Sequence, residues 1–314
     1  LSLHDALPIC MVMKINQPKI SIITPSYNQG QYIEETITSV LDQKYPNTEY
    51  IIIDGGSTDE TIDIIKKYES SLSYWVSEPD DGQYDAINKG FSKSTGEIMA
   101  WINSDDKYTP WTFAIVADIF TRFPEIDWLT TSYPLCLNKA GYTVSCFYLP
   151  GFSREAFFKG VHLPCPGRYA HSFIQQESTF WRRSLWDMAG SHIDSSLSLA
   201  GDFELWTKFF KYAELYAVAA PLGCFRYHDG QKTAHRYHEY LKEADAVLTN
   251  HGGAPYNKTE TKFRNILLKL AGPREMGNRY GLLRRLLLRL NIIFPVKRCV
   301  WDKHTWIIKK NYII

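Results

Sequence analysis

Ile98-Met99-Ala100-Trp101-Ile102-Asn103-Ser104-Asp105-Asp106 is an apolar run that ends abruptly in an amide, a hydroxyl and two adjacent carboxylates. A buried strand that stops this way delivers oxygen ligands suited to a hard cation. The same residues also fit turn chemistry or a helix N-cap ahead of Pro110, because aspartate accepts hydrogen bonds from nearby backbone N–H groups. Upstream, two more strand-like runs end in the same polar way. Lys19-Ile20-Ser21-Ile22-Ile23-Thr24 leads into Pro25-Ser26-Tyr27-Asn28, and Tyr50-Ile51-Ile52-Ile53 leads into Asp54-Gly55-Gly56-Ser57-Thr58-Asp59. Each precedes a helix-period segment, Ile33 to Leu41 and Thr61 to Tyr68. Strand, helix, strand, helix, strand predicts an α/β domain with parallel pairing. Ligands in such sheets sit beyond the carboxyl ends of the strands.

Taken in order, these stretches resemble those of family 2 glycosyltransferases, inverting nucleotide-sugar enzymes with the GT-A fold. Further matches are Tyr84-Asp85-Ala86-Ile87-Asn88-Lys89-Gly90, Gly96-Glu97, Gly201-Asp202-Phe203-Glu204-Leu205-Trp206 and Arg226-Tyr227-His228. The resemblance spans roughly Lys19 to His228. It implies a GT-A domain over 14–230, with a nucleotide-binding half at 14–106 and an acceptor half at 107–230. The sheet is expected to be Rossmann-like, mostly parallel and flanked by helices, followed by a helical basic C-terminal extension at 231–314.

The resemblance also implies site residues. Pro25, Ser26 and Tyr27 would contact the nucleoside, and Asp54 would accept hydrogen bonds from the base, although an Asx turn is the simpler use of an Asp there. Asp85 lies in the polar loop and helix start that would line the diphosphate, where the family's Arg is replaced by Ile87, with Lys89 as a substitute cation or a solvated one. Asn103-Ser104-Asp105 takes the place of the family's Asp-x-Asp, so Asn103 brings no charge and metal binding rests on Asp105, with Asp106 and His228 as further ligands. Manganese or magnesium fits such oxygen ligands shared with a diphosphate. Asp202 is the expected general base among apolar neighbours, with simple helix capping as its bland role and Glu204 as the fallback base. Relatives carry Glu where this chain has Gly201.

Charge is unevenly spread. Residues 261–314 hold thirteen Lys or Arg against two Asp or Glu, a net +11 that leaves −10 for the rest of a chain whose total is +1. Leu282, Leu283, Leu286, Leu287 and Leu290 share one helical face there, with Arg284, Arg285 and Arg289 away from its centre. Such a helix suits peripheral contact with an anionic membrane or packing on the catalytic domain. The basic run has no nucleic-acid-binding motif, so nucleic acid is not an expected partner. No apolar run reaches the roughly 18 residues of a membrane span.

Cys10, Cys136, Cys146, Cys165, Cys224 and Cys299 show no paired spacing, which fits free thiols in a reducing cytoplasm. Residues 1–10 read like a translated sequencing adapter, placing the expected start at Met11 or Met13. An oxidoreductase would need Gly-x-Gly-x-x-Gly after the first strand, a nucleotidyltransferase a glycine-rich first loop, and a processive synthase Gln-x-x-Arg-Trp; none is present. The expected donor is a nucleoside-diphosphate sugar, with a uridine preference. The expected acceptor is a glycan or lipid-linked glycan in bacterial surface-polysaccharide synthesis. The alternative is a weak or inactive sugar-nucleotide-binding protein at the membrane.

Overall fold

A computed structural model describes residues 17–163, 173–257, 259–263, 266, 281–290 and 292–313, with backbone alone at 233, 234 and 281–284. The expected adapter segment and start codons, Cys10, Cys165 and the side chains of Leu282, Leu283 and Arg284 lie outside it.

The first half alternates as its pattern predicts. It runs β1 (Ile20–Ser26), α1 (Ile33–Leu41), β2 (Thr48–Asp54), α2 (Thr61–Lys67), β3 (Tyr74–Ser77), α3 (Gln83–Lys93) and β4 (Ile98–Trp101). β1 pairs in parallel with both β2 and β4, and β2 with β3. The isoleucine-rich β1 and β2 are buried almost throughout, as strands covered on both faces must be.

The second half adds β5 (Lys107–Tyr108), α4 (Thr112–Arg122), β6 (Trp128–Thr131), β7 (Leu135–Leu137), β8 (Thr143–Cys146), α5 (Arg154–Phe158), β9 (Phe180–Arg182), α6 (Arg183–Met188), α7 (Gly201–Tyr212), β10 (Leu215–Val218) and β11 (Gly223–Arg226). β9 is inserted between β4 and β6 and runs antiparallel to both, so Trp181 faces Met99 on one side and Trp128 on the other. Trp101, Trp128, Trp181 and Trp206 pack together there, with Trp101 and Trp206 stacked at 6.0 Å. A small sheet, β5-β11-β7-β8, stitches the chain after Asp106 to the chain before Tyr227 through the Gly223–Tyr108 pair. That pairing carries His228 to Asp105.

The extension is helical at α8 (Lys232–His235), α9 (Tyr237–Asn250) and α10 (Gly281–Arg289), but its end is not. Residues 294–313 form a hairpin, β12 (Phe294–Asp302) with β13 (Thr305–Ile313), and β12 joins β10 in parallel. Among the described residues the main sheet therefore runs β13-β12-β10-β6-β9-β4-β1-β2-β3. The hairpin turns at Lys303, held at φ 55°, without the Asn-Gly or Asp-Gly pair that usually marks a two-residue turn.

Candidate active site

The carboxyl ends of β1 and β4 open into a cleft of about 770 Å³, within the usual range for a ligand site. Pro25, Ser26, Tyr27, Asn103, Ser104 and Asp105 line it from the strand ends, and Asp202, Phe203 and Trp206 of α7 line it too. Tyr27 is exposed, whereas the Ser26 hydroxyl is buried and has no protein partner.

Two expected contacts are not on the cleft wall. Asp54 is fully buried and its carboxylate is taken up locally: Oδ2 accepts from the amides of Gly56 (3.1 Å) and Ser57 (2.8 Å) and the Ser77 hydroxyl (2.6 Å), and Oδ1 accepts the Ser57 hydroxyl at 2.5 Å. Four donors fill a carboxylate's usual capacity. Here Asp54 shapes the loop after β2. Asp85 pairs with Lys89 at 3.1 Å and accepts the Asp81 amide, and Lys89 also faces Glu78 at 3.7 Å. The lysine that does line the cleft is Lys232, at the start of α8.

Asp105 and His228 converge. Oδ2 of Asp105 lies 2.8 Å from Nε2 of His228, whose ring packs on Tyr32 at 4.6 Å. The Gly230 amide donates to Nδ1 at 3.2 Å, which assigns the imidazole proton to Nε2, facing Asp105. A cation bound there would displace that proton. Asp106 points the other way: it is fully buried, with Oδ1 accepting the Arg226 amide at 2.8 Å and Oδ2 accepting the Asn103 amide at 3.2 Å. Burial, then the neighbouring Asp105 and Glu177, pushes its carboxyl well above the usual range, and burial raises that of Glu177 as well. Asp105 and His228 thus remain as the pair open to a cation. Among the described residues no three His, Cys, Asp or Glu converge, so substrate oxygens and water would complete the shell.

Arg226 was legible in the sequence only as part of a motif. Its buried guanidinium donates to the carbonyls of Asp105 (2.6 Å) and Lys139 (3.1 Å) and to Glu35 (3.0 Å), and lies 5.0 Å over the Tyr32 ring. It fixes the backbone that carries Asp105. Asn103 is equally committed, accepting from Gln83 at 2.8 Å while donating to Asp106 and, at 3.3 Å, to Gln176. A carboxylate at 103 could not make the last two bonds.

Asp202 is the second residue of α7 and accepts its neighbour Phe203's amide at 2.7 Å. Burial pushes its carboxyl up to about 6. Glu204, the fallback base, is instead buried against Lys208 at 2.6 Å and is not on the cleft wall. Gly201 has a steric reason: a Cβ there would stand 2.6 Å from Cζ of Tyr84 and 2.8 Å from Ile193.

Comparison with known proteins accords with this geometry. Residues 21–134 match the glycosyl transferase family 2 model. Over that segment, which carries β1 to β6, the chain is similar to that family. An uncharacterised glycosyltransferase of Rickettsia typhi is 29% identical over 253 residues, 80% of this chain and 76% of its own. TuaG of Bacillus subtilis, named for teichuronic acid biosynthesis, is 43% identical over 95 residues, 29% of this chain and 38% of its own. The fold is similar to S. aureus TarS in complex with UDP-GlcNAc (TM-score 0.57, 17% identity, 87% of this chain and 75% of that one). It is also similar to the mannosyltransferase PcManGT of Pyrobaculum calidifontis in complex with GDP-Man and Mn2+ (TM-score 0.50, 16% identity, 88% and 86% covered). The α/β fold of this chain is therefore similar to that of GT-A glycosyltransferase structures.

Proposed function

We propose that the protein is an inverting, non-processive hexosyltransferase that moves a sugar from a nucleoside-diphosphate donor, UDP-linked, to a hydroxyl of a glycan or lipid-linked glycan in surface-polysaccharide synthesis. The observation that carries this reading is the shared cleft, which the Asp105–His228 pair and Asp202 line together. The relationship to TuaG and the fold shared with TarS support the polysaccharide and uridine parts.

The chemistry follows from charge. Asp80, Asp105 and Asp202 line the cleft against Lys232 as its Lys or Arg cation, with Asp106 and Glu177 held toward their neutral forms by burial, a poor host for a diphosphate alone. Mn2+ or Mg2+ held by Asp105 and His228 would supply the missing positive charge and stabilise the departing diphosphate. Tyr27 and Pro25 offer the nucleoside an apolar face, and the unpartnered Ser26 hydroxyl offers it a hydrogen bond. Asp202, in its ionised form, takes the proton of the acceptor hydroxyl as that oxygen attacks the anomeric carbon opposite the diphosphate. Trp206 and Phe203 beside it exclude water.

The rival reading, an inactive binder, rested on Asn103 and Gly201. Both are accommodated by specific neighbours, Gln83 and Gln176 for one and Tyr84 for the other. For location, the proposal is the cytoplasmic face of an anionic membrane through α10; no described helix is long and apolar enough to cross a bilayer.

The deciding experiment is nucleoside-diphosphate release from a panel of nucleotide sugars with manganese, with magnesium and with chelator. Metal-dependent release from one donor is expected. Donor binding without release, even with acceptor glycans added, would return the protein to the binder class.

A further inference from the structure

We propose that Glu243 is a positioning residue for Asp202. The inference rests on the reading of Asp202 as general base. Residues 194–200 lead into α7 and set where Asp202 stands. The helix N-cap, Ala200, has no side-chain oxygen, and the amides of the loop that ends on it need an acceptor from elsewhere. Glu243, on α9, supplies it: its carboxylate accepts from the amides of Ser198 (3.2 Å), Leu199 (2.9 Å) and Ala200 (2.9 Å). Negative charge is thereby placed at the positive end of the helix.

The same loop is gripped from the opposite side by α3. The Tyr84 hydroxyl donates to the Leu199 carbonyl at 2.6 Å, and the Asn88 amide exchanges two bonds with the Ile193 backbone, at 2.8 and 2.9 Å. α3 begins at Gln83, which holds Asn103 of the cleft lining. The loop that leads to the base is therefore tied both to α3, whose Gln83 holds Asn103, and to α9, an element to which the sequence pattern assigned no chemistry. Bonds to a carboxylate are among the stronger protein hydrogen bonds, and misplacing a reacting group by 1 Å costs on the order of 100-fold in rate. A tie that merely stabilised the fold would change overall stability and donor binding together.

The test compares Glu243→Ala, Glu243→Gln, Asp202→Asn and the double variant Glu243→Ala/Asp202→Asn. It reads UDP release from UDP-N-acetylglucosamine with Mn2+, UDP affinity by calorimetry, and amide exchange at 198–200. Glu243→Ala is expected to lower kcat roughly 10- to 100-fold with UDP affinity nearly unchanged and faster exchange at those three amides. Glutamine, which keeps one acceptor oxygen, recovers part of the rate. In the Asp202→Asn background the alanine change adds no further loss, because both act through one group. Unchanged kcat, unchanged exchange, or loss of UDP affinity in step with kcat would overturn the proposal. The exchange measurement decides the clamp without turnover. Retained turnover in Asp202→Asn alone would instead remove the base reading, whatever Glu243 does.

Discussion

The ring of Tyr84 occupies the space in which a side chain at position 201 would begin, its Cζ 2.6 Å from where that Cβ would lie. The pair is a packing solution in which a small residue beside the base admits a buried tyrosine that also bonds the Leu199 carbonyl. Gly201→Ala gains up to about 1 kcal/mol of helix propensity. It also meets an overpacking cost of about 1–3 kcal/mol. The expected net result is a lower thermal midpoint. In a Tyr84→Ala background the Gly201→Ala change should cost less than in the wild type. Equal costs in both backgrounds would show that the contact does not constrain this site.

Asp202 should govern the pH dependence. Its carboxyl is raised to about 6 by burial, so the group is protonated and unable to accept a proton below that value and ionised above it. Turnover is expected to rise with pH through about 6. Asp202→Asn should lose roughly 10²- to 10⁴-fold in kcat while binding UDP normally. The stability sign is opposite. A raised folded value means the native state holds the proton more tightly than the unfolded chain, so ionisation costs stability as pH climbs from the ordinary Asp range through about 6. Asp202→Asn should be more thermostable than wild type at pH 8, and the gap should close near pH 4. A pH-independent gap would contradict the burial argument.

How far this site could be read from sequence depended on the kind of contact. Buried parallel strands such as Ile20–Ser26 announce themselves as apolar runs ending in polar turns, and Asp105 stood out as a carboxylate after such an end, whereas His228 and Asp202 were reached only through the family resemblance. Asp54 did not reveal that Ser57 and Ser77 would fill its oxygens, because Ser77 arrives from the neighbouring strand. Lys232 and Glu243 were invisible for the same reason: solvated-looking charges on helices, they acquire meaning only when the extension folds back over the cleft. The terminal hairpin escaped because Lys303 turns it without glycine and its strands mix lysine and arginine with apolar residues.

Asn103→Asp should not create a better metal site. The substitution places a carboxylate against Asp106 and the Gln176 carbonyl oxygen, where the present amide donates to both. Losing two buried donors should destabilise the fold by about 1–3 kcal/mol, with Mn2+ affinity unchanged or weaker. Tighter Mn2+ binding in this variant would show that residue 103 can reach the cation.

Lys232 should act on the donor. It lines the cleft as an exposed cation whose charge reaches Asp80, another lining residue. Lys232→Ala is expected to weaken UDP binding about tenfold, and the wild-type advantage should shrink as salt screens an exposed charge. An affinity difference that does not respond to salt would argue that the side chain packs rather than pairs.

α10 divides its leucines. Leu287 is buried against Ile292 and Ile293 beside Tyr312 of the hairpin, while Leu286 and Leu290, one turn apart, are 53% and 52% exposed next to the exposed Arg285 and Arg289. One residue anchors the helix to the sheet edge and the other pair is left for a surface of different chemistry, which the +11 tail suggests is anionic lipid. The full chain should sediment with phosphatidylserine vesicles, less with neutral ones, and less at high salt. Leu286→Ser/Leu290→Ser and Arg285→Gln/Arg289→Gln should each reduce binding about tenfold, the first leaving salt sensitivity intact and the second diminishing it. Binding that ignores lipid charge, or that survives both pairs of substitutions, would assign α10 to packing alone.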